Sequence, residues 1–523
     1  MAEPFYITTA INYPNGRPHI GHAYEGIATD VMARFQRLMG RDVRFVTGTD
    51  EHGLKMDQTA RNLGRETIDL ADEMSGHFRD MADKLNLSYD EFVRTTEPRH
   101  HSASIELWKR MEANGDLYLD RYEGWYSVRD EAFYDESELT EGEGDEKLSP
   151  QGTPVEWTAE ETWFFRLSKY QDKLLALYRD NPEFIRPESR RNEVMRFVEG
   201  GLKDLSVSRT SFDWGVPVPD SDGHVMYVWV DALTTYMTGV GFPDADGEMF
   251  KRYWPADVHM IGKDIVRFHT VYWPAFLMSA DLPLPKQVFG HGFLLARGGE
   301  KMSKSAGNVV DPMDLAEQFG VDNLRYFFMR EIAFGQDGSY SPEAIVTRAN
   351  AELANSFGNL AQRTLSMIGK NLDGELSEFE PSEADRDLLS FVRKACTEVL
   401  PEQFEKLAFS AGIEGWIKAV YACNQYVDEQ APWALRKNDP ERMRVVLLTL
   451  FVTLRDLAIA IQPVVPEKAA SLLDQLGVPI AERGFSDVSD PNWYNRLVDS
   501  GFTVGKPTPI FPRLELADEE NTA

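Results

Sequence analysis

The first fifty residues leave few folds open to a chain of this kind. An apolar run, Phe5-Tyr6-Ile7-Thr8-Thr9-Ala10-Ile11, reads as a strand, and the turn residues Asn12, Pro14, Asn15 and Gly16 follow it. Beyond Pro18-His19-Ile20-Gly21-His22, the side chains Ile27, Val31, Phe35 and Leu38 recur at three- and four-residue steps, and Gly40 stands where a helix would stop. A second strand, Val43-Arg44-Phe45-Val46, runs into Thr47-Gly48-Thr49-Asp50-Glu51-His52-Gly53. Strand, helix and strand in this order form a βαβ unit, which requires a parallel sheet with its polar ends on one side.

His19 and His22 thereby fall on the first helical turn, three residues apart and on one face. Unpaired backbone N–H groups and the positive end of the helix dipole make that turn a place for phosphate. Gly21 between them adds no side chain that would hold a ligand away. A pair of surface histidines capping hydrogen bonds would read the same in isolation. A remote stretch supplies context: Gly298-Gly299-Glu300-Lys301-Met302-Ser303-Lys304-Ser305-Ala306-Gly307-Asn308 sets two lysines three apart between glycines. A cationic loop of that composition suits a triphosphate whose charge builds up on reaction.

The formal charge of −30 excludes general affinity for nucleic acid, because a polyanion is repelled over most of such a surface. RNA would have to follow local basic stripes, for which Arg186, Arg190, Arg191, Arg196, Lys203, Arg209, Arg325, Arg330 and Lys394 are candidates. Cys396 and Cys423 are the two cysteines, too few for a disulfide framework or a four-thiolate zinc site. No charge-free run approaches the roughly 18 residues of a membrane span, and no signal-peptide pattern precedes the first strand. The expectation is a cytoplasmic protein of about three to four domains without membrane contact.

Along the chain, residues 54–115 carry helical spacing, and 117–225 alternate aromatic fragments such as Gly124-Trp125-Tyr126-Ser127 and Trp163-Phe164-Phe165 with turn-rich acidic stretches. The latter predict an inserted β-rich subdomain. Tyr227-Val228-Trp229-Val230-Asp231-Ala232 reads as a buried strand. Val258-His259-Met260-Ile261 reads as another that turns at Gly262-Lys263-Asp264, and 287–292 as a third leading to the lysine loop. Six of the ten histidines, His19, His22, His52, His259, His269 and His291, fall at these strand ends and helix starts, where parallel sheets bind ligands. From Ala344 to Leu476 helical periodicity is nearly continuous, and 506–514 is proline-rich yet apolar, as for an extended packed tail. The predicted fold class is α/β: a split Rossmann-like parallel sheet with an inserted β-rich connective subdomain and a C-terminal all-α helical bundle.

His-Ile-Gly-His and Lys-Met-Ser-Lys-Ser, in this order and this far apart, are the two signatures of class I aminoacyl-tRNA synthetases, which the sequence resembles. Within that class it is similar over essentially its whole length to the methionyl-tRNA synthetase family. The most specific segments are Ala10-Ile11-Asn12-Tyr13-Pro14-Asn15-Gly16, 227–232, Ile261-Gly262-Lys263-Asp264-Ile265, the lysine loop and Val427-Asp428-Glu429-Gln430-Ala431-Pro432-Trp433. The resemblance implies a ligase that joins L-methionine to initiator and elongator tRNAs through methionyl-adenylate, for the initiation and elongation of protein synthesis. It implies catalytic-domain halves at 1–116 and 226–292, a connective insertion at 117–225, a lysine-loop and stem-contact region at 293–343, and an anticodon-binding bundle with tail at 344–523. The methionine site implied is Ile11, Tyr13, Asp50, Trp229, Ala232, Leu233, Tyr236, Ile265 and His269, with Leu233 where the family often has proline. The ATP site implied is His19, Gly21, His22, Lys263, Asp264, Lys301 and Lys304, with His19, His22, Lys301 and Lys304 the catalytic set and Mg2+ arriving with ATP. Asn359, Arg363, Pro432 and Trp433 are the implied anticodon readers. Many members hold a zinc knuckle on Cys-x-x-Cys pairs in the insertion. Lacking cysteine there, this chain resembles the zinc-free subgroup, so no structural zinc is expected. No tRNA-binding appendage follows Leu514, which favours a monomer.

The residue chemistry agrees. Tyr13, Trp229 and Tyr236 suit a polarizable thioether, and Asp50 suits an ammonium group. Shape alone separates one methylene by about 1–3 kcal/mol, so His269 and Tyr236 are expected to add weak donors to the sulfur. Leucyl, isoleucyl and valyl enzymes need an insertion longer than 117–225, and a cysteinyl enzyme needs thiolate-bound zinc near its site. Two readings outside the class stay open: a nucleotidyltransferase using the histidine turn alone, and an inactive RNA-binding relative. Neither accounts for both halves of the chain.

Overall fold

The structure is a computed structural model that describes residues 2–130, 132–142, 144, 146–295 and 309–516. Six strands form one parallel sheet: β1 Pro4–Thr8, β2 Asp42–Thr49, β3 Glu91–Arg94, β4 Ile185–Arg186, β5 Val258–Gly262 and β6 Val288–His291. Their spatial order is β3-β2-β1-β5-β6-β4. Along β1 the side chains alternate, Phe5 and Ile7 entering one core and Tyr6 the core on the opposite face. With both faces covered, a strand is apolar throughout, and every residue of β5 and β6 is buried. The chain winds away on either side of the β1–β5 boundary, so the carboxyl ends of these two strands open on the crevice where such sheets take ligands.

The helix Ile20–Leu38 joins β1 to β2, and Gly40, with φ of +86°, ends it. Three segments depart from the sequence reading. Within 54–115, β3 interrupts the helices and pairs with β2; four residues are too few to register a period of two. The approach is close, since a Cβ at Gly48 would stand 1.9 Å from the Val93 carbonyl oxygen. Residues 228–232 open a helix, Val228–Thr238, with Tyr227 as its N-cap, rather than a strand. Trp229 apart, that helix is buried on every side, so its apolar residues carry no helical period to read. Finally, β4 lies inside the expected insertion 117–225 and forms the edge of the main sheet next to β6. The rest of that range supplies an antiparallel sheet ordered Leu205–Ser206, Glu156–Phe165, Leu117–Ser127, Ala132–Tyr134. Trp125 meets Trp157 edge-on at 5.4 Å with Lys147 Nζ 4.5 Å over its ring.

The C-terminal helices pack around Pro440–Ile461, which is buried continuously from Val445 to Ile461. Ile510 and Phe511 of the irregular tail are buried, and Leu514 exchanges hydrogen bonds with Asn350 at 2.8 and 2.9 Å. Arg325 is fully buried, and its guanidinium donates to Asp30 (2.6 Å) and to the carbonyls of Leu85, Pro463 and Val464. This corrects its place among the basic stripes. Arg209 is also buried, Arg330 is held by Glu352, and Arg186, Arg190, Arg191 and Lys203 pair with neighbouring carboxylates. Arg209 and Arg325, being buried, are closed to a polyanion, whereas the surface pairs are weak and leave their cations open to solvent. Among the described residues no helix is long and apolar enough to cross a membrane, and no group of three His, Cys, Asp or Glu side chains is set to hold a metal ion.

Candidate active site

The helix Ile20–Leu38 opens on a reciprocal cap made by two histidines. His19 is the N-cap residue in extended conformation; its Nδ1 accepts from Gly21 N at 3.0 Å, and its own N–H donates to His22 Nδ1 at 3.1 Å. The two rings lie 3.8 Å apart. Because both Nδ1 atoms accept, each neutral ring carries its proton on Nε2. The helix start therefore adds two imidazole donors to the positive end of its dipole. Gly21 serves this arrangement, since a Cβ there would lie 2.9 Å from His19 Cε1 and displace the ring.

One turn further on, Glu25 ties this helix to two strand ends. Its Oε1 accepts from Ala10 N at 2.9 Å, and its Oε2 is 2.8 Å from His291 Nε2. His291 Nδ1 is 2.8 Å from the Gly292 carbonyl, so both ring nitrogens face acceptors. Burial opposes charge on His291, but the Glu25 carboxylate and that carbonyl outweigh it and raise its pKa. After β2, Asp50 N donates to Asn12 O at 2.9 Å, and Glu51 gathers Arg94, Thr96 and Thr49 at 2.5–3.1 Å. The turn that carries Asp50 is thereby fixed. Tyr13 lies against the next helix, its hydroxyl accepting from Met56 N at 3.1 Å. Ile11, between β1 and Tyr13, is partly buried.

Trp229, Ala232, Leu233 and Tyr236 recur at three- and four-residue steps on the helix Val228–Thr238 and share one face. His269 stands on the π-helical turn Phe268–Tyr272, with Ile265 just before it. Trp229 stacks on Phe268 at 3.9 Å and meets His269 edge-on at 5.9 Å, and its buried Nε1–H has no hydrogen-bond partner among the described residues. Tyr236 OH is 2.6 Å from His269 Nε2, and His269 Nδ1 is 2.9 Å from the Ile265 carbonyl. A carbonyl only accepts, so the His269 proton sits on Nδ1 and Nε2 takes the phenol proton. Burial lowers the His269 pKa to about 4, against the Ile265 contact, and keeps the ring neutral. The expectation that both groups donate to a thioether is therefore corrected, because each has one proton and each proton is engaged within the protein.

Asp264, at the end of β5, is exposed. Lys263 beside it is 2.7 and 2.8 Å from the Asp337 carboxylate and 4.5 Å over the Phe293 ring, so the ammonium expected at the nucleotide is held there by Asp337. Lys301 and Lys304 lie outside the described residues. His259 departs from the strand-end pattern: it sits inside β5, fully buried, bonded to Thr8 Oγ1 at 2.8 Å and packed on Tyr236 at 4.2 Å. Glu25 and Asp337 escaped the sequence reading, since a single acid whose partner is 266 or 74 residues away leaves no local pattern.

At the far end, Ala431 in the left-handed region breaks the chain between Phe409–Gln430 and Pro432–Asn438. Pro432 is buried and Trp433, next to it, is 50% exposed. Arg363 lies with its guanidinium carbon 5.5 Å from the Trp433 ring and a nitrogen 3.9 Å from Asp428; Asn359, one turn before it, is exposed. A tryptophan held for packing would be covered; this one faces solvent.

The family model described as tRNA synthetases class I (M) matches residues 5–365, and that described as the anticodon binding domain of methionyl tRNA ligase matches 383–522. The methionine--tRNA ligase of Brucella suis biovar 1 is 56% identical over 521 residues, covering 99% of each chain, and that of Rhizobium meliloti is 57% identical over 514 residues, covering 98% of each. The crystal structure of Mycobacterium tuberculosis methionyl-tRNA synthetase bound by methionyl-adenylate matches with a TM-score of 0.93 and 55% identity, covering 98% of this chain and 100% of that one. With its parallel sheet, its paired-histidine turn and both family domains in register, the chain belongs to the methionyl-tRNA synthetases of class I.

Proposed function

We propose that this protein attaches L-methionine to methionine tRNAs, initiator and elongator alike, at the expense of ATP delivered as its magnesium complex. The methionine carboxylate attacks the α-phosphorus, pyrophosphate leaves, and the acyl group of methionyl-adenylate passes to the 2′-hydroxyl of the terminal adenosine. Neither step requires a protein nucleophile, so catalysis is positioning and charge stabilisation. His19 and His22 contact phosphate through Nε2; Lys304 meets the charge that builds on the leaving phosphates, Lys301 closes the loop, and Asp264 takes the ribose. Asp50 pairs with the ammonium group, and Trp229, Tyr236 and His269 hold the thioether. The divisions at 116, 225, 292 and 343 separate catalytic halves, insertion, lysine loop and bundle, except that Ile185–Arg186 within 117–225 returns to the catalytic sheet, and the protein works as a monomer in the cytoplasm. The observation that carries this reading is the pair of mutually capping histidines on a helix that starts beside the crevice of a parallel sheet. ATP–pyrophosphate exchange measured with each of the twenty amino acids tests it. Methionine alone should support exchange; equal exchange with leucine or valine, or none with methionine, would refute it.

The bundle is proposed to read the anticodon, with Trp433 stacking on a base and Asn359 and Arg363 hydrogen-bonding to base edges. Trp433→Ala is expected to lower kcat/KM for tRNA charging by about 30-fold, equivalent to about 2 kcal/mol of stacking, with exchange and thermal stability little changed. Equal loss in both assays would argue against base stacking.

A further inference from the structure

Behind the face that carries Trp229, Ala232 and Tyr236, the same helix buries Asp231 completely. Its two carboxylate oxygens meet two histidines from elsewhere: Oδ2 is 2.5 Å from His52 Nδ1, and Oδ1 is 2.6 Å from His100 Nε2. His52 comes two residues after Asp50, on the turn that closes β2. His100 lies in the first turn of the helix Pro98–Ala113, and its Nδ1 is 2.9 Å from Thr238 Oγ1, so it grips the helix Val228–Thr238 at two points seven residues apart. Burial disfavours charge on Asp231, but the two histidines outweigh it and hold the carboxyl well below its usual range. An ionised carboxylate only accepts, so both histidines donate to it.

We propose that Asp231 is a positioning residue for amino-acid recognition: clasped by His52 and His100, it sets the separation between the Asp50 turn and the aromatic wall of the methionine pocket. The inference rests on the functional reading above and deepens it. An amino acid held at its ammonium by Asp50 and at its side chain by Trp229 and Tyr236 spans two separate elements, and the triad is a direct polar bond between them. A shift of a fraction of an ångström in that spacing costs the amino acid and leaves the phosphate site, on another helix, untouched. A buried ion pair kept for stability alone would affect both substrates equally.

The test is a split of Michaelis constants in ATP–pyrophosphate exchange. Asp231→Asn should raise KM for methionine roughly 10-fold or more while KM for ATP stays within about twofold. His52→Ala should do the same. His52→Asn, which returns a donor near Nδ1, and His100→Gln, which returns one near Nε2, should each recover most of the methionine affinity. Asp231→Asn that raises both constants together, or that lowers the melting temperature without moving either, overturns the proposal and leaves the functional reading standing. A parent protein without methionine-dependent exchange overturns both.

Discussion

Replacing His19 by alanine is expected to slow methionine-dependent ATP–pyrophosphate exchange by about 10²–10³-fold, and replacing it by asparagine to slow it as much. The two variants separate what one side chain does twice. Nδ1 of His19 caps the helix by accepting from Gly21 N, while the Nε2 side of the ring is the part proposed to meet phosphate. Alanine removes both and should also lose about 1 kcal/mol of stability with the cap. Asparagine restores an acceptor for Gly21 N, among the best N-caps there are, and so should recover the melting temperature but not the rate. Steady-state exchange and calorimetry on the same preparations decide it. An asparagine variant with near-parental activity would reduce His19 to a helix cap.

Acid should weaken the fold through His269. In the unfolded chain the imidazole titrates near 6.5, whereas burial holds it to about 4 in the folded protein. Above pH 6.5 both forms are neutral and the residue is silent. As the pH falls below that value the unfolded chain binds a proton that the folded one refuses, so stability drops by about 1.4 kcal/mol per pH unit until the folded ring itself protonates. The total is about 3 kcal/mol. Urea unfolding at pH 7 and pH 4 should show the parent losing that much more stability than His269→Gln, which has nothing to titrate. His259, buried against Tyr236 and also depressed by burial, adds a loss of the same sign in both proteins. Parallel losses in parent and variant would mean that His269 takes up its proton in the fold as readily as in the unfolded chain.

The sequence reveals those parts of the molecule whose causes are local. The helix after Pro18 can be read because a buried stripe, a capping pair and a terminal Gly40 all lie within twenty-odd residues of one another. Helices of the bundle are legible for the same reason. Val228–Thr238 is not, because a helix buried all round has no polar face to reveal its turn, and the valines and the tryptophan at its start favour a strand. At the site, His19 and His22 stand out in a short motif and the proposed pocket residues are named by the family resemblance, while Glu25, Asp337 and the clasp on Asp231 have neither signal. Each of these joins segments that only the fold brings together, and no spacing in the chain announces them. The roles of Tyr236 and His269 also needed coordinates, since which of two donors is already engaged is a question of geometry.

Arg325 ties two parts of the molecule that are far apart in sequence. Its guanidinium joins the middle of the helix Ile20–Leu38, at Asp30, to the turn after the central bundle helix, at Pro463 and Val464, by direct hydrogen bonds, and opening the joint would strand a buried charge on either side. The sheet domain and the C-terminal bundle therefore share one buried ion pair and its hydrogen bonds. Loss of either partner, Asp30 or Arg325, would leave the opposite charge buried without its counter-ion and so is expected to weaken both domains together.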